Sequence, residues 1–239
     1  SSTSRGLGDV YKRQLYDYHI ANSKNVVDFS GFYLPVFYSG IIDEHRAVRK
    51  KAALFDVSHM GQLIISGKES EKFVQTVTTN DVSKLNSGQA QYSAICNELG
   101  GLIDDVIVYK RKSDYMIVVN ASGIEKKYKW LKSASTKSVQ IENRSNELSM
   151  IAIQGPLSRK IIQANTSVDI SKLKFYNFIE SIDFLGFTIL LSRTGYTGEL
   201  GFEIYCSNEA ASYIWNSILE EYKLSLIHIS ERTRRRGIS

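Results

Sequence analysis

The stretch QAQYSAICNELGGLIDDVIVYKRKSDYMIVVNA, Gln89–Ala121, holds three runs rich in Ile, Val and Tyr, divided by two breaks. The runs Gln89–Asn97, Leu102–Lys110 and Tyr115–Ala121 have the β-branched and aromatic content that suits strands. Asn97-Glu98-Leu99-Gly100-Gly101 and Lys110–Asp114 have the length and turn residues of hairpin connections, so the stretch predicts an antiparallel meander. Outward from it, further strands are expected at Gln62–Ser66, Met150–Gln154, Thr188–Ser192 and Gly201–Cys206. One helix is expected over Asp43 to Phe55, where Ala47, Val48, Ala52 and Phe55 fall at helical spacing and Asp43 and Glu44 sit at the positive end of the dipole. A second starts at Ser122 with a capping box to Glu125 and turns Ile124, Tyr128 and Leu131 to one face. A third begins at Pro156 and buries Leu157, Ile161 and Ile162; a fourth, Asn208–Tyr222, aligns Ala211, Ile214, Trp215, Ile218 and Tyr222. The helices are short and no strand–helix–strand cycle repeats. The fold class is therefore α+β, mainly antiparallel sheets with flanking helices, rather than a doubly wound parallel sheet.

With 239 residues, 43% apolar and 23% charged, the chain is long enough for one large domain or two small ones with a real core. Its net charge of +5 lies wholly in the ends: +2 over residues 1–14, +3 over 224–239, and zero over 15–223. The basic balance therefore gives no reason to expect a nucleic-acid partner for the central region. SSTSRGLGDVYKRQ at residues 1–14 has no periodicity, and LSLIHISERTRRRGIS at 224–239 breaks into an arginine cluster. Both are expected to be foreign or disordered, resembling translated sequencing-library adapter; the competing reading is a real basic tail. Cys96 and Cys206 lie in strand-like segments without C-x-x-C spacing, which points to buried reduced thiols. No apolar run approaches the length of a membrane span, so no membrane partner is expected and the cytoplasm is the default compartment.

Two segments could carry chemistry. In GGLIDDVIVYK, Gly100–Lys110, adjacent carboxylates interrupt an apolar strand. Strand side chains alternate, so Asp104 and Asp105 are expected in different surroundings, one of them facing inward or into a cleft. A buried carboxylate needs a partner or a ligand, although a solvated hairpin end explains the pair equally well. In SRTGYTGELGFEIY, Ser192–Tyr205, Gly195, Gly198 and Gly201 allow close backbone approach to a flat ligand, with Tyr196 as a stacking face and Glu203 as an acceptor. The bland alternative is a glycine-rich hairpin. It lacks the phosphate-loop arrangement. His45 and His59 are too distant in sequence for a helical metal pair, and no metal is expected.

Taken together, DVSHMG (Asp56–Gly61), TND (Thr79–Asp81), YSAICNELGGLIDDVIVY (Tyr92–Tyr109), VVNAS (Val118–Ser122), IQGP (Ile153–Pro156) and SRTGYTGELGFE occur in an order and spacing that resembles the glycine cleavage T-protein, the aminomethyltransferase family. The resemblance covers roughly residues 15–223 and extends to VDFSGFYLPVFY, where Phe32 stands in place of a frequent family tryptophan. It implies two intertwined subdomains, one near 52–138, around a tetrahydrofolate cleft, and a C-terminal barrel domain that this chain lacks. It also implies transfer of an aminomethyl group from the lipoyl arm of H-protein to tetrahydrofolate, the acceptor substrate, with release of ammonia. By the same resemblance Asp105 is the key acid and Glu203 anchors the pterin. Tyr92, Tyr109, Asn120, Tyr176 and Tyr196 line the folate cleft, and Met60 supplies an apolar contact. The compartment becomes the mitochondrial matrix if the source is eukaryotic. The family's following segment, with a folate-contacting arginine, is absent, which implies an impaired fragment. The alternatives are a folate-binding domain of a dimethylglycine or sarcosine dehydrogenase-like protein, a tRNA-modifying GTPase or an iron–sulfur maintenance protein.

Overall fold

The structure is a computed structural model that describes residues 13–222 and the backbone of 225–226. The expected leader and tail therefore lie outside the described residues, apart from Arg13, Gln14 and that short backbone piece. In chain order the elements begin with α1 (Tyr16–Asn22), β1 (Asn25–Phe29), β2 (Phe32–Phe37), α2 (Ile41–Lys50), β3 (Ala53–Asp56), β4 (Gly61–Ser66) and α3 (Ser70–Val77). They continue with β5 (Gln89–Cys96), β6 (Leu102–Lys110), β7 (Tyr115–Val119), α4 (Ile124–Ala134), β8 (Gln140–Asn143), β9 (Leu148–Gln154) and α5 (Ser158–Ala164). The last are β10 (Phe178–Phe184), β11 (Phe187–Ser192), β12 (Gly201–Ser207), α6 (Asn208–Tyr222) and β13 (Ser225–Leu226).

The strands form a β1–β2 hairpin, a five-stranded sheet in the order β5-β6-β7-β4-β8, and a six-stranded sheet in the order β10-β11-β12-β9-β3-β13. The pairs are antiparallel except β13 with β3. The fold is α+β, and the meander forms as expected, β5 against β6 and β6 against β7.

Alternation along the strands builds three layers of core. In β6, Val106 and Val108 point to the side of α3 and α4, whereas Ile107 and Tyr109 point to the other sheet. In β9, Ile151 and Ile153 pack with Ile214 and Trp215 of α6, whereas Met150 and Ala152 face the five-stranded sheet. The seam between the sheets thus holds Phe55, Val57, Ile107, Tyr109, Val118, Met150 and Tyr205. Side chains fully buried by such alternation contribute roughly 1.5–3 kcal/mol each, which makes the register of β6 and β12 hard to shift.

Four local expectations need correction. The helix expected through Phe55 ends at Lys50, and Ala53–Asp56 is strand β3, buried on both faces between β9 and β13. A two-sided apolar run reads the same in either period. Glu44 is nonetheless a cap: its Oε1 accepts from the backbone N–H groups of Tyr38 and Ser39 at 2.8 Å and of Gly40 at 3.0 Å. The capping box at Ser122 does not form, because α4 starts after Gly123 in the left-handed conformation with no side-chain cap. Leu157 is 44% exposed, because Gly155–Leu157 form a turn ahead of α5. Of the cysteines, Cys206 is buried and Cys96 only partly so; both are free.

The IQGP turn is sterically specified. Gly155 has φ +126°, and a Cβ there would lie 2.6 Å from the Lys51 carbonyl oxygen and 2.7 Å from that of Val48. Both contacts are backbone at the end of α2, which cannot yield locally. Gly155→Ala is expected to lower unfolding stability by at least about 2 kcal/mol in urea titrations; a loss within about 0.5 kcal/mol would contradict this packing.

Candidate functional site

A cavity of about 490 Å³ lies where the seam between the sheets meets the β1–β2 turn, the Val57–Met60 turn and the loop before β12. Val57, Ile107, Val118 and Met150 give it apolar walls, and carboxylates stand at two places on its lining: Asp104 with Asp105, and Glu203.

The acidic pair is built at the end of β6. Beyond Val106 the strand loses its β7 partner, because β7 stops at Val119 and Asn120 turns away. Asp105 keeps the parity of Ile107 and Tyr109 toward the seam, and Asp104 keeps that of Val106 toward α4. The two side chains do diverge, yet the expectation of separate surroundings fails. Asn120 Nδ2 donates to Asp104 Oδ1 at 2.8 Å and to Asp105 Oδ1 at 2.7 Å, and its backbone N–H donates to Asp104 Oδ2 at 3.0 Å. One residue just past a strand end spans both faces of the neighbouring strand. Lys127 on α4 completes the cluster, with Nζ 2.6 Å from Asp104 Oδ2 and donating to the Asn120 carbonyl at 2.8 Å. Tyr92 on β5 donates its hydroxyl to Asp105 Oδ2 at 3.3 Å.

Glu203 lies on the seam side of β12 and is 3% exposed. Thr194 donates its hydroxyl to Glu203 Oε2 at 2.5 Å, and the Tyr109 hydroxyl lies 3.5 Å from the same oxygen and 2.9 Å from that of Tyr205. Burial, reinforced by the charge of Glu203, pushes the Tyr109 phenol well above its ordinary value, so it remains a donor. The loop that carries Thr194 is fixed from behind by Gln154, whose Nε2 donates to the carbonyls of Thr194 and Phe202. A Cβ on Gly195 or Gly201 would fall inside the Gln154 amide, so these glycines make room for Gln154.

The Val57–Met60 turn is held by a second polar cluster. His19 Nε2 and Asp56 Oδ2 are 2.8 Å apart and fully enclosed, Ser58 N–H donates to Asp56 Oδ1 at 2.9 Å, and the Tyr38 hydroxyl is 2.6 Å from His19 Nδ1. Burial alone would raise the Asp56 carboxyl, but the His19 bond and charge and the Ser58 bonds outweigh it and leave it at about 2. His59, packed edge-on against Phe29, is pushed down by burial to about 4, with Asp56 opposing and Arg13 assisting.

Sequence-expected residues distribute unevenly around this cavity. Asp105, Met60, Asn120, Tyr196 and Glu203 line it. Tyr92 reaches it through Asp105 and is 48% exposed. Tyr109 is fully buried behind Glu203, in its hydrogen-bond set rather than on the cavity lining. Tyr176 is also off that lining; it sits edge-on to Phe175 with φ +59° and bridges Ala90 and Arg193 through its backbone. Lys127 and His59 were not expected there. Lys127 is hidden in a KKYK run that reads as a solvated face, and the signal that could have found it is its place one turn below Gly123, opposite the diverging Asp104. Among the described residues no group of three His, Cys, Asp or Glu side chains could hold a metal ion, and no helix is long and apolar enough to cross a membrane.

Two facing antiparallel sheets with helices outside, and a carboxylate-lined cavity at their seam, define the class. Residues 15–235 match the family described as GCVT N-terminal domain, and the chain belongs to that family. It is 47% identical to an aminomethyltransferase of Anoxybacillus flavithermus over 215 residues, 90% of this chain and 59% of that protein. It is likewise 47% identical to an aminomethyltransferase of Caldanaerobacter subterraneus over 219 residues, 91% of this chain and 59% of the other. The crystal structure of glycine cleavage system aminomethyltransferase T from Bartonella henselae superposes with a TM-score of 0.82 at 25% identity, covering 91% of this chain and 59% of that one. The heterotetrameric sarcosine oxidase of Corynebacterium shares the fold, with a TM-score of 0.60 at 12% identity over 88% of this chain and 93% of that one. The chain thus spans about three fifths of the length of the curated relatives it matches.

The lowered His59 value has a stability consequence. Between about 4 and 6.5 the unfolded chain binds a proton that the folded chain does not. Stability present above pH 6.5 is therefore lost as pH falls toward 4, by up to about 3 kcal/mol. Urea unfolding across this range should show that fall, and His59→Gln should flatten it; an unchanged slope in the variant would contradict the assignment.

Proposed function

We propose that the cavity binds tetrahydrofolate as acceptor substrate and that the chain serves aminomethyl transfer from the lipoyl arm of H-protein, yielding 5,10-methylenetetrahydrofolate, ammonia and reduced lipoyl. The carrying observation is that one cavity, with apolar and polar groups mixed on its lining, has Glu203 at one site and the Asp105–Asn120 pair at another. A volume of about 490 Å³ falls in the range of small-molecule sites. Apolar walls suit a flat ring system, and the two polar sites suit its hydrogen-bonding edge and its reacting nitrogens. The relatives' printed names support the same reading, as does the sequence resemblance.

In this reading Glu203, ionised and fixed by Thr194, accepts paired N–H groups from the pterin edge. Met60 and Tyr196 cover the ring faces. Asp105 orients the attacking folate nitrogen and stabilises positive charge developing at the transferred carbon as the C–S bond breaks. A fixed carboxylate in a cleft poor in water does this without reorganising solvent. The carbon's bond to one folate nitrogen replaces its bond to the lipoyl sulfur, which departs as thiol. The carbon's bond to the second folate nitrogen replaces the bond to the amino group, which leaves as ammonia; the two folate N–H groups supply the two protons. H-protein and folate are the only partners this reaction requires, in the cytoplasm or the mitochondrial matrix.

Two substitutions separate the roles. Glu203→Gln should weaken tetrahydrofolate binding by roughly tenfold or more in calorimetric titration, the loss of one charge-assisted contact. Asp105→Asn should leave the binding constant within about threefold and lower transfer by roughly a hundredfold or more. Undiminished transfer by Asp105→Asn, or undiminished binding by Glu203→Gln, would sink the corresponding role.

A further inference from the structure

Resting on the folate reading, we propose that Gln154 is a positioning residue for tetrahydrofolate binding: its amide sets Thr194 against Glu203 and so aligns the carboxylate that receives the pterin edge. Three observations carry this. First, Gln154 is a polar residue at a position where β9 is otherwise apolar. It follows Ala152 in strand parity, which packs in the seam with Met150, and it is itself 1% exposed. Burying an amide is costly unless its bonds are made, and an apolar side chain would fill the place without that cost.

Second, among the described residues its side-chain bonds all end in one segment, Thr194–Phe202. Nε2 donates to the Thr194 carbonyl at 3.2 Å and to the Phe202 carbonyl at 3.3 Å, and Oε1 accepts from the Thr197 hydroxyl at 2.9 Å. One nitrogen thus joins the residue whose hydroxyl reaches Glu203 to the residue that precedes Glu203 on β12. The separation of Thr194 and Glu203 is thereby held by a rigid planar group. The Thr197 bond fixes which way the amide faces, since a flipped amide would set its oxygen against two carbonyls.

Third, the segment is shaped to admit this amide. Both ends of the loop pass so close to it that a Cβ on Gly195 or Gly201 would overlap it. These glycines serve the approach of a side chain from within, while Tyr196 and Glu203 line the cavity. The next residue of the IQGP turn adds a backbone bond, Gly155 N–H to the Leu200 carbonyl at 2.7 Å. From outside, the same loop has only the Arg49–Glu199 pair at 2.9 Å, with both side chains partly in solvent.

The test uses the full chain and measures tetrahydrofolate affinity by calorimetry, KM for tetrahydrofolate and kcat for transfer, and urea stability. The variants are Gln154→Met, Thr194→Val, the double variant and Arg49→Ala, with Glu203→Gln as the control for the folate reading. Gln154→Met should weaken affinity and raise KM, each by roughly tenfold or more, with kcat within about threefold. A residue that only stabilises the fold would lower the unfolding midpoint and leave the affinity of the folded chain intact. Thr194→Val should weaken affinity to a similar degree. The double variant should bind within about threefold of the weaker single variant, because both act on one contact, whereas independent effects would multiply. Arg49→Ala, which breaks an exposed pair on the same loop, should stay within about threefold of the parent. If Gln154→Met fails to fold, Thr197→Val takes its place; it removes only the bond that sets the facing of the amide and should weaken affinity by about fivefold or more, again without multiplying with Thr194→Val. Undiminished affinity in the variant that releases the amide, multiplied losses in the double variant, a fall in kcat larger than the rise in KM, or an equal loss in Arg49→Ala would each overturn the inference. Undiminished binding by Glu203→Gln would overturn the underlying reading instead, whereas weakened binding by Glu203→Gln beside an unaffected Gln154→Met sinks only the role of Gln154.

Discussion

The cost of placing carboxylates in and beside the seam between two sheets organises the site. Asp104 is 10% exposed and Glu203 is 3% exposed, and each is surrounded by donors that no neighbouring strand supplies automatically. Lys127 answers Asp104, Asn120 spans Asp104 and Asp105, and Thr194 answers Glu203. Leaving any of these carboxylates without its partner would cost several kcal/mol, comparable with the stability of a whole domain. The polar groups are therefore spread over five places in the fold, so that the site exists only when α4, β6, the end of β7, the loop before β12 and β12 itself are all in place.

Around these clusters the backbone is held by close contact. Gly155 lets the end of β9 pass beneath α2, and Gly195 and Gly201 let the Gln154 amide lie against the loop that carries Thr194. That loop is consequently set by β9, a central strand, and not by solvent-exposed turns. On the opposite wall the His19–Asp56 pair fixes the turn that presents His59 and Met60. The cavity is shaped by rigid elements on both sides, which is the arrangement that orients a flat substrate at low entropic cost.

Local order made part of this legible in the sequence. The meander Gln89–Ala121 could be read because its hairpins are short and its runs alternate, and α6 matches Asn208–Tyr222 because its stripe is long. Strand β3 was hidden, since a four-residue run buried on both faces has no period of its own. Strands β1, β2, β8 and β10 are not legible either: Pro35 interrupts β2, β1 and β8 are short and half polar, and an irregularity between Ile179 and Ile182 breaks the alternation of β10. At the site, the motifs drew attention to Asp105, Asn120 and Glu203, whereas Lys127 and Thr194 depend on contacts between elements distant in sequence. Tyr109 shows the limit from the other side, because its motif position gave its neighbourhood but not that its hydroxyl stands behind Glu203.

The central claim concerns where one ligand lies, and a structure of the chain crystallised with tetrahydrofolate tests it most directly. The account predicts the pterin edge within hydrogen-bonding distance of the Glu203 carboxylate, with the reacting nitrogens turned toward Asp105 and Met60 against the ring. Density for the ligand outside this cavity, or inside it with the pterin turned away from Glu203, would contradict the account.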